Sequence, residues 1–174
     1  MMEELFDIYN GCGEHIGCAP RSRCHGDPSL IHRTCHVVII HPDSGEVLLQ
    51  KRSLAKDIQP GKWDTAVGGH LALGEDYETG GERELAEELG IRAGGKLIHL
   101  FDSKIRNDIE SEDVRVFGLK HAGPFTFDPE EIDEIRFWSR EELESPDNRE
   151  LFTPNCCLEL EKLKTTGFYP PEQH

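Results

Sequence analysis

The sequence predicts one α/β sandwich domain, and three observations carry that prediction. Short β-rich runs recur between turn residues, a helical segment with amphipathic spacing lies mid-chain from Tyr77 to Leu89, and the tail turns helical. At 174 residues the chain is long enough to bury one core and short for two ordinary domains. It contains no internal repeat and no low-complexity linker. One domain is expected over 1–174, with 1–30 as an N-terminal hairpin extension and 153–164 as a C-terminal helix.

Taken in order, Leu5 to Tyr9 and Ile16 to Ala19 flank the turn Gly11-Cys12-Gly13 and predict a short hairpin, followed by a loop rich in Arg and His. Thr34 to Ile40 and Glu46 to Arg52 bracket His41-Pro42-Asp43-Ser44-Gly45, whose Pro, Asp and Gly supply turn chemistry for a second hairpin. Trp63 to Val67 predicts a strand that ends at Gly68 and Gly69. The helix from Tyr77 stops at Gly90, a residue suited to the left-handed conformation that closes helices. Lys96 to Asp102, Val114 to Lys120 and Ile135 to Trp138 read as strands, the last two separated by a loop marked by Pro124 and Pro129. Ser139-Arg140-Glu141-Glu142 has the spacing of a capping box, and Thr153-Pro154 opens a helix through Lys164.

Composition excludes several function classes. A formal charge of −15 argues against binding a nucleic-acid polymer, which requires a basic face. No apolar run approaches the roughly 18 residues that cross a bilayer, and MMEELFDIYN carries acids where a secretory signal carries a basic region. The expected location is cytoplasmic, with the six cysteines reduced. Cys12, Cys18 and Cys24 recur without a CxxC knuckle, and Cys156 and Cys157 are expected to pack.

The chemistry concentrates on the central helix. At 3.6 residues per turn Glu84, Glu87 and Glu88 fall within an arc of about 100°, while Leu85 and Leu89 form a stripe on another side. A Glu-rich solvated face is the ordinary explanation for three such acids alone. Gly69, Glu75, Arg83, Glu84, Glu87, Glu88 and Gly90 together, at these spacings, would arise by chance on the order of 10⁻⁵ of the time. Clustered carboxylates repel one another until a divalent cation with a preference for oxygen ligands, such as Mg²⁺ or Mn²⁺, reverses the sign. Gly68 and Gly69 would let backbone pass close to such an ion.

GHLALGEDYETGGERELAEELGI, from Gly69 to Ile91, resembles the signature of the Nudix hydrolases with every fixed position filled. The resemblance implies an α/β/α sandwich around a mixed sheet. It makes Glu84, Glu87, Glu88 and the carbonyl of Gly68 metal ligands, and it pairs Glu75 with Arg83. The segments FDIYNGCGEHIG, HRTCH, LLQKRSLAK, PGKWD, FWS and LFTP are similar to the branch that contains isopentenyl diphosphate isomerases and their hydrolase relatives. By that similarity His25, His32, His70, Glu110 and Glu112 would hold a second metal, for which Zn²⁺ or Mn²⁺ suits the donors. Arg52 and Lys56 would bind the diphosphate, with Lys51 and Lys62 near them in sequence, and His36 and His41 are read as structural.

The isomerase's acid/base cysteine falls at Gly68, which has no side chain to transfer a proton. The expected activity is therefore metal-dependent hydrolysis of a diphosphate linkage in a small molecule, such as a nucleoside diphosphate derivative or an isoprenoid diphosphate. Allylic isomerisation is the alternative, and a non-catalytic diphosphate binder a third reading. Glu131 is the expected general base, with Glu130 and Glu134 as competitors and Glu84 or Glu88 as alternatives that would orient the water. Neither the leaving group nor the oligomeric state is specified by the sequence.

Overall fold

The strand β3 (Ile31–Ile40) organises the molecule, because its run of consecutive apolar residues is buried on both faces. The computed structural model describes residues 2–170, so the expected domain span of 1–174 extends one residue before and four beyond them. Before β3 lie β1 (Leu5–Tyr9), β2 (His15–Pro20) and the helical turn α1 (Arg21–Cys24). After it come β4 (Val47–Arg52), β5 (Trp63–Thr65), β6 (Val67–His70), α2 (Tyr77–Leu89), β7 (Ile98–Arg106), β8 (Ser111–Lys120) and β9 (Ile132–Trp138). α3 (Arg140–Glu144), a 3₁₀ segment (Pro146–Leu151) and α4 (Pro154–Leu163) complete the described chain.

The sheet is mixed. β3 runs parallel to β8 from Ile31↔Ser111 to Ile40↔Lys120, and antiparallel to β6 from Thr34↔His70 to Val37↔Val67. β4 joins the far end of β3 at Ile39↔Leu48 and pairs with β5 and β9, while β7 extends the sheet beyond β8. The β1–β2 hairpin attaches through Tyr9↔Ile31.

Alternation along β3 sends successive side chains to opposite layers. Val37 and Ile39 pack with Leu85 and Leu89 of α2, Phe117 and Ala66. Val38 and Ile40 pack on the other side with Trp63, Trp138 and the α4 residues Cys156 and Leu163. The result is the expected α/β/α sandwich. Phe6, Ile8, Ala19 and Cys24 form a smaller cluster under the hairpin.

Helix boundaries follow local chemistry. The Asp76 side chain accepts from the Thr79 N–H at 2.7 Å and Gly90 closes α2 at φ 66°, so the expected Tyr77–Leu89 limits hold. Ser139 and Glu142 form a reciprocal capping box, and Thr153 caps α4 ahead of Pro154.

Four expectations are corrected. The expected strand Trp63–Val67 is two strands, with β5 pairing β4 and β6 pairing β3. Gly68 and Gly69 lie inside β6, because pairing with Cys35 and His36 outweighs their weak strand propensity. β7, β8 and β9 begin or end two to four residues from their expected limits, since the ladders carry polar residues such as Ser111 and Lys104 into register. The expected loop after β2 contains the turn α1. All six cysteines are free, with Cys156 buried and Cys157 half-buried.

Candidate functional site

A cavity of about 580 Å³ opens between α2, β3, β6 and the start of α4. Glu84, Glu87 and Glu88 line it while Leu85 and Leu89 of the same helix are fully buried. Glu84 is buried, Glu88 half-buried and Glu87 exposed. Arg83 braces this wall: its Nε and Nη2 donate to the two oxygens of Glu75 at 2.8 and 2.9 Å, and Nη1 donates to Glu84 at 2.8 Å and Glu87 at 3.2 Å. Nη2 also donates to the His70 carbonyl at 2.9 Å, fastening the end of β6 to α2. Such a fork matches carboxylate geometry as a lysine would not.

Burial and like charge dominate the electrostatics of this wall. Burial, reinforced by the charge of Glu84, pushes Glu88 up to about 8, although it accepts from Gln50 at 3.1 Å and from the Gly68 N–H. Burial also raises Glu84 against the pull of Arg83. Hydrogen bonds from Arg83 hold Glu75 below the usual carboxylate range. A Cβ at Gly69 would stand 2.1 Å from the Glu84 carboxyl carbon, so only glycine leaves this carboxylate its place. Two acids destabilised by burial and mutual repulsion, open to a cavity, form a donor set that suits a hard divalent ion.

A second cluster adjoins the first. One ligand atom each from His25, His32, His70 and Glu112 lies within 4.8 Å of the others. The parallel β3–β8 register sets His32 opposite Glu112, β6 brings His70 opposite Thr34, and His25 follows α1. Nε2 of His32 lies 3.3 Å and Nε2 of His70 3.2 Å from the same Glu112 oxygen, and the Thr34 hydroxyl donates to the other oxygen at 3.3 Å. Burial opposes the charged form, but the hydrogen bonds and charges of His32 and His70 hold Glu112 well below the usual carboxylate range. Burial and the neighbouring His70 push His25 down to about 4, keeping it in the neutral form that ligates metals. Phe6 stacks on His32 and His70, with centroids at 5.2 and 4.6 Å, and closes the cluster from the hairpin side. Glu110 stands 3.7 Å from His25, outside the close group of four.

Of the basic residues, Arg52 and Lys56 line the cavity, whereas Lys51 and Lys62 do not; Lys62 donates to the Glu150 carbonyl. Arg52 lies 3.8 Å from Asp64, and its Nε donates to the Ile58 carbonyl at 2.9 Å. Lys56 forms an ion pair with Glu131, so the expected general base sits at the rim already engaged by a cation. Glu130 and Glu134 are not among the lining residues. Arg21, in the turn α1, also reaches the cavity.

The wall opposite α2 holds groups the sequence did not reveal. His36, read as structural, pairs through Nδ1 with the buried Glu159 of α4, and the other Glu159 oxygen accepts from the Thr65 hydroxyl. Burial works against the charged imidazole, but the Glu159 charge and hydrogen bond outweigh it and push His36 up to about 9. Asp64, raised by burial, accepts from the Thr153 hydroxyl at 3.0 Å and from the Thr65 N–H at 2.9 Å. Glu159 sits among the leucines Leu158 and Leu160 on a tail helix, and nothing local distinguishes it from a solvated acid.

The NUDIX domain family model matches residues 31–155. Nudix hydrolase 3 of Arabidopsis thaliana is 34% identical over 82% of this chain, which spans 20% of that protein's length. An isopentenyl-diphosphate Delta-isomerase of Nocardia farcinica is 32% identical over 77% of this chain and 78% of its own. In fold, a crystal structure from Deinococcus radiodurans superposes with a TM-score of 0.73, covering 91% of this chain and 98% of that one at 23% identity.

Proposed function

The chain belongs to the Nudix hydrolase family, enzymes that act on phosphorus-containing anhydrides, and from that premise we propose that it cleaves the diphosphate linkage of a small molecule with the help of divalent cations. The observation that carries this reading is the α2 wall: Glu84, Glu87 and Glu88 on one cavity, ordered by the Arg83 fork. These three carboxylates, with the Gly68 carbonyl, would hold Mg²⁺ or Mn²⁺. Such an ion, when bound, polarises the phosphorus and acidifies the attacking water.

The remaining work falls to the chain. Arg52 and Lys56 bind phosphate oxygens, and a diphosphate that draws Lys56 away releases Glu131 to take the proton from water. Glu75 and Arg83 keep the loop and helix in register. His25, His32, His70 and Glu112, with Glu110 beside them, fit Zn²⁺ or Mn²⁺ by donor type and convergence.

The test is a panel of nucleoside triphosphates, dinucleotides, nucleotide sugars, coenzyme A and isoprenoid diphosphates, scored for released phosphate with Mg²⁺ and with Mn²⁺. Glu87→Gln and Glu88→Gln should fold normally and lose most turnover. Unchanged turnover in both would overturn the reading. The histidine cluster favours a second reading, isomerisation of isopentenyl diphosphate, and Gly68 opposes it. Deuterium exchange at the allylic carbon without phosphate release would establish that alternative.

A further inference from the structure

We propose that His36 is a substrate-contacting residue whose Nε2 edge hydrogen-bonds an oxygen of the bound diphosphate, and that Glu159 is the positioning residue that fixes its ring. The inference rests on the diphosphate-cleavage reading and adds to it a second wall of the site, contributed by the C-terminal helix.

Orientation is the first argument. Nδ1 of His36 is committed to the Glu159 carboxylate, and that carboxylate is held in turn by the Thr65 hydroxyl. Glu159 is 5% exposed, so it cannot swing into solvent without abandoning both partners. A ring held at Nδ1 presents its opposite edge in a fixed direction. Among the described residues, Nε2 of His36 makes no hydrogen bond with a side chain or backbone group.

The second argument is what that edge faces. In the β3–β6 ladder His36 stands opposite Gly68, and a Cβ at Gly68 would lie 3.1 Å from Cδ2 and 3.3 Å from Nε2 of the imidazole. Any larger residue at position 68 would crowd or cover the ring edge, whereas glycine leaves it open. Both residues line the cavity, and the Gly68 N–H donates to Glu88, so the open edge adjoins the carboxylate wall. A diphosphate that cations hold at Glu84, Glu87 and Glu88 would share this cavity with the ring edge.

A purely structural pair tying β3 to α4 requires the Nδ1 bond alone. It requires neither an uncovered Nε2 nor a glycine across the ladder.

The two roles separate in one variant. Asparagine places an amide nitrogen near the position of Nδ1, so His36→Asn keeps a donor toward Glu159 and deletes the Nε2 edge. The probe is methylenediphosphonate, followed by calorimetry with Mg²⁺ or Mn²⁺ and by long-range ¹H–¹⁵N spectra of the imidazoles with diamagnetic Mg²⁺. The expected result is that the His36 Nε2 resonance of the wild-type protein moves on saturation, and that His36→Asn binds the probe about tenfold more weakly at a similar melting temperature. Glu159→Ala should weaken binding too, and Glu159→Gln, which still accepts from Nδ1, should restore part of it. If the probe binds wild-type protein and the Nε2 resonance stays still, the inference fails while the diphosphate reading stands. If the probe does not bind wild-type protein with either ion, the diphosphate reading fails and takes this inference with it. The wild-type titration decides the matter even if the asparagine variant does not fold.

Discussion

The Glu84 carboxyl group occupies the space that a side chain at Gly69 would need: a Cβ there would lie 2.1 Å from Cδ and 2.3 and 2.5 Å from the two oxygens. The strand and the helix of the acidic wall are thus fitted to each other at a single missing methyl group. Arg83 donates to the same carboxylate at 2.8 Å.

Gly69→Ala should therefore displace Glu84 while sparing the fold, because a side-chain end is easier to move than backbone. Turnover is expected to fall about 100-fold, as for other misplacements near 1 Å, with little change in melting temperature. Steady-state kinetics on the best substrate of the panel, beside a thermal melt, checks this. Retained turnover would mean that Glu84 works equally well elsewhere.

Glu112 joins His32 and His70 through one oxygen and Thr34 through the other. Glu112→Gln keeps the shape and removes the negative charge that balances a cation. Zn²⁺ affinity, measured by competition with a chromogenic chelator, should drop about tenfold or more. Equal affinity would show that the cluster is not the Zn²⁺ site.

Glu75 is held below the usual carboxylate range, chiefly by its hydrogen bonds from Arg83. With its folded-state pKa below its unfolded one, its stabilisation is present in full above the ordinary carboxylate pKa and is lost as pH falls through the lowered value. Wild-type protein should melt above Glu75→Gln near neutral pH, with the gap closing from about pH 5 downward. A gap that does not change with pH would place the contribution in packing instead.

Gly90 ends α2 at φ 66°, and a Cβ there would also meet the Thr126 hydroxyl oxygen at 2.1 Å. Gly90→Ala should cost at least about 1–2 kcal/mol from backbone strain alone, read from urea unfolding at constant m-value. A smaller loss would indicate that the helix end can unwind locally.

Much of the site was legible in sequence because its signals are short-ranged. Asp76 and Gly90 mark α2 through hydrogen bonds and dihedrals within a few residues, and the spacing of Glu84, Glu87 and Glu88 follows from helical pitch. The box from Gly69 to Ile91 accordingly specified the helix and its acidic face, and its resemblance to the Nudix signature supplied the expectation of diphosphate chemistry. Tertiary structure decided what depends on register between distant strands. Pairing of β3 with β6 and β8 placed His32, His70 and Glu112 together, turned Gly68 toward His36, and split the segment after Trp63 between two neighbours. Packing of α4 across the sheet delivered Glu159 to His36, 123 residues away in the chain. Nothing local encodes such a meeting, since it is set by the burial of whole strand and helix faces rather than by the residues that meet.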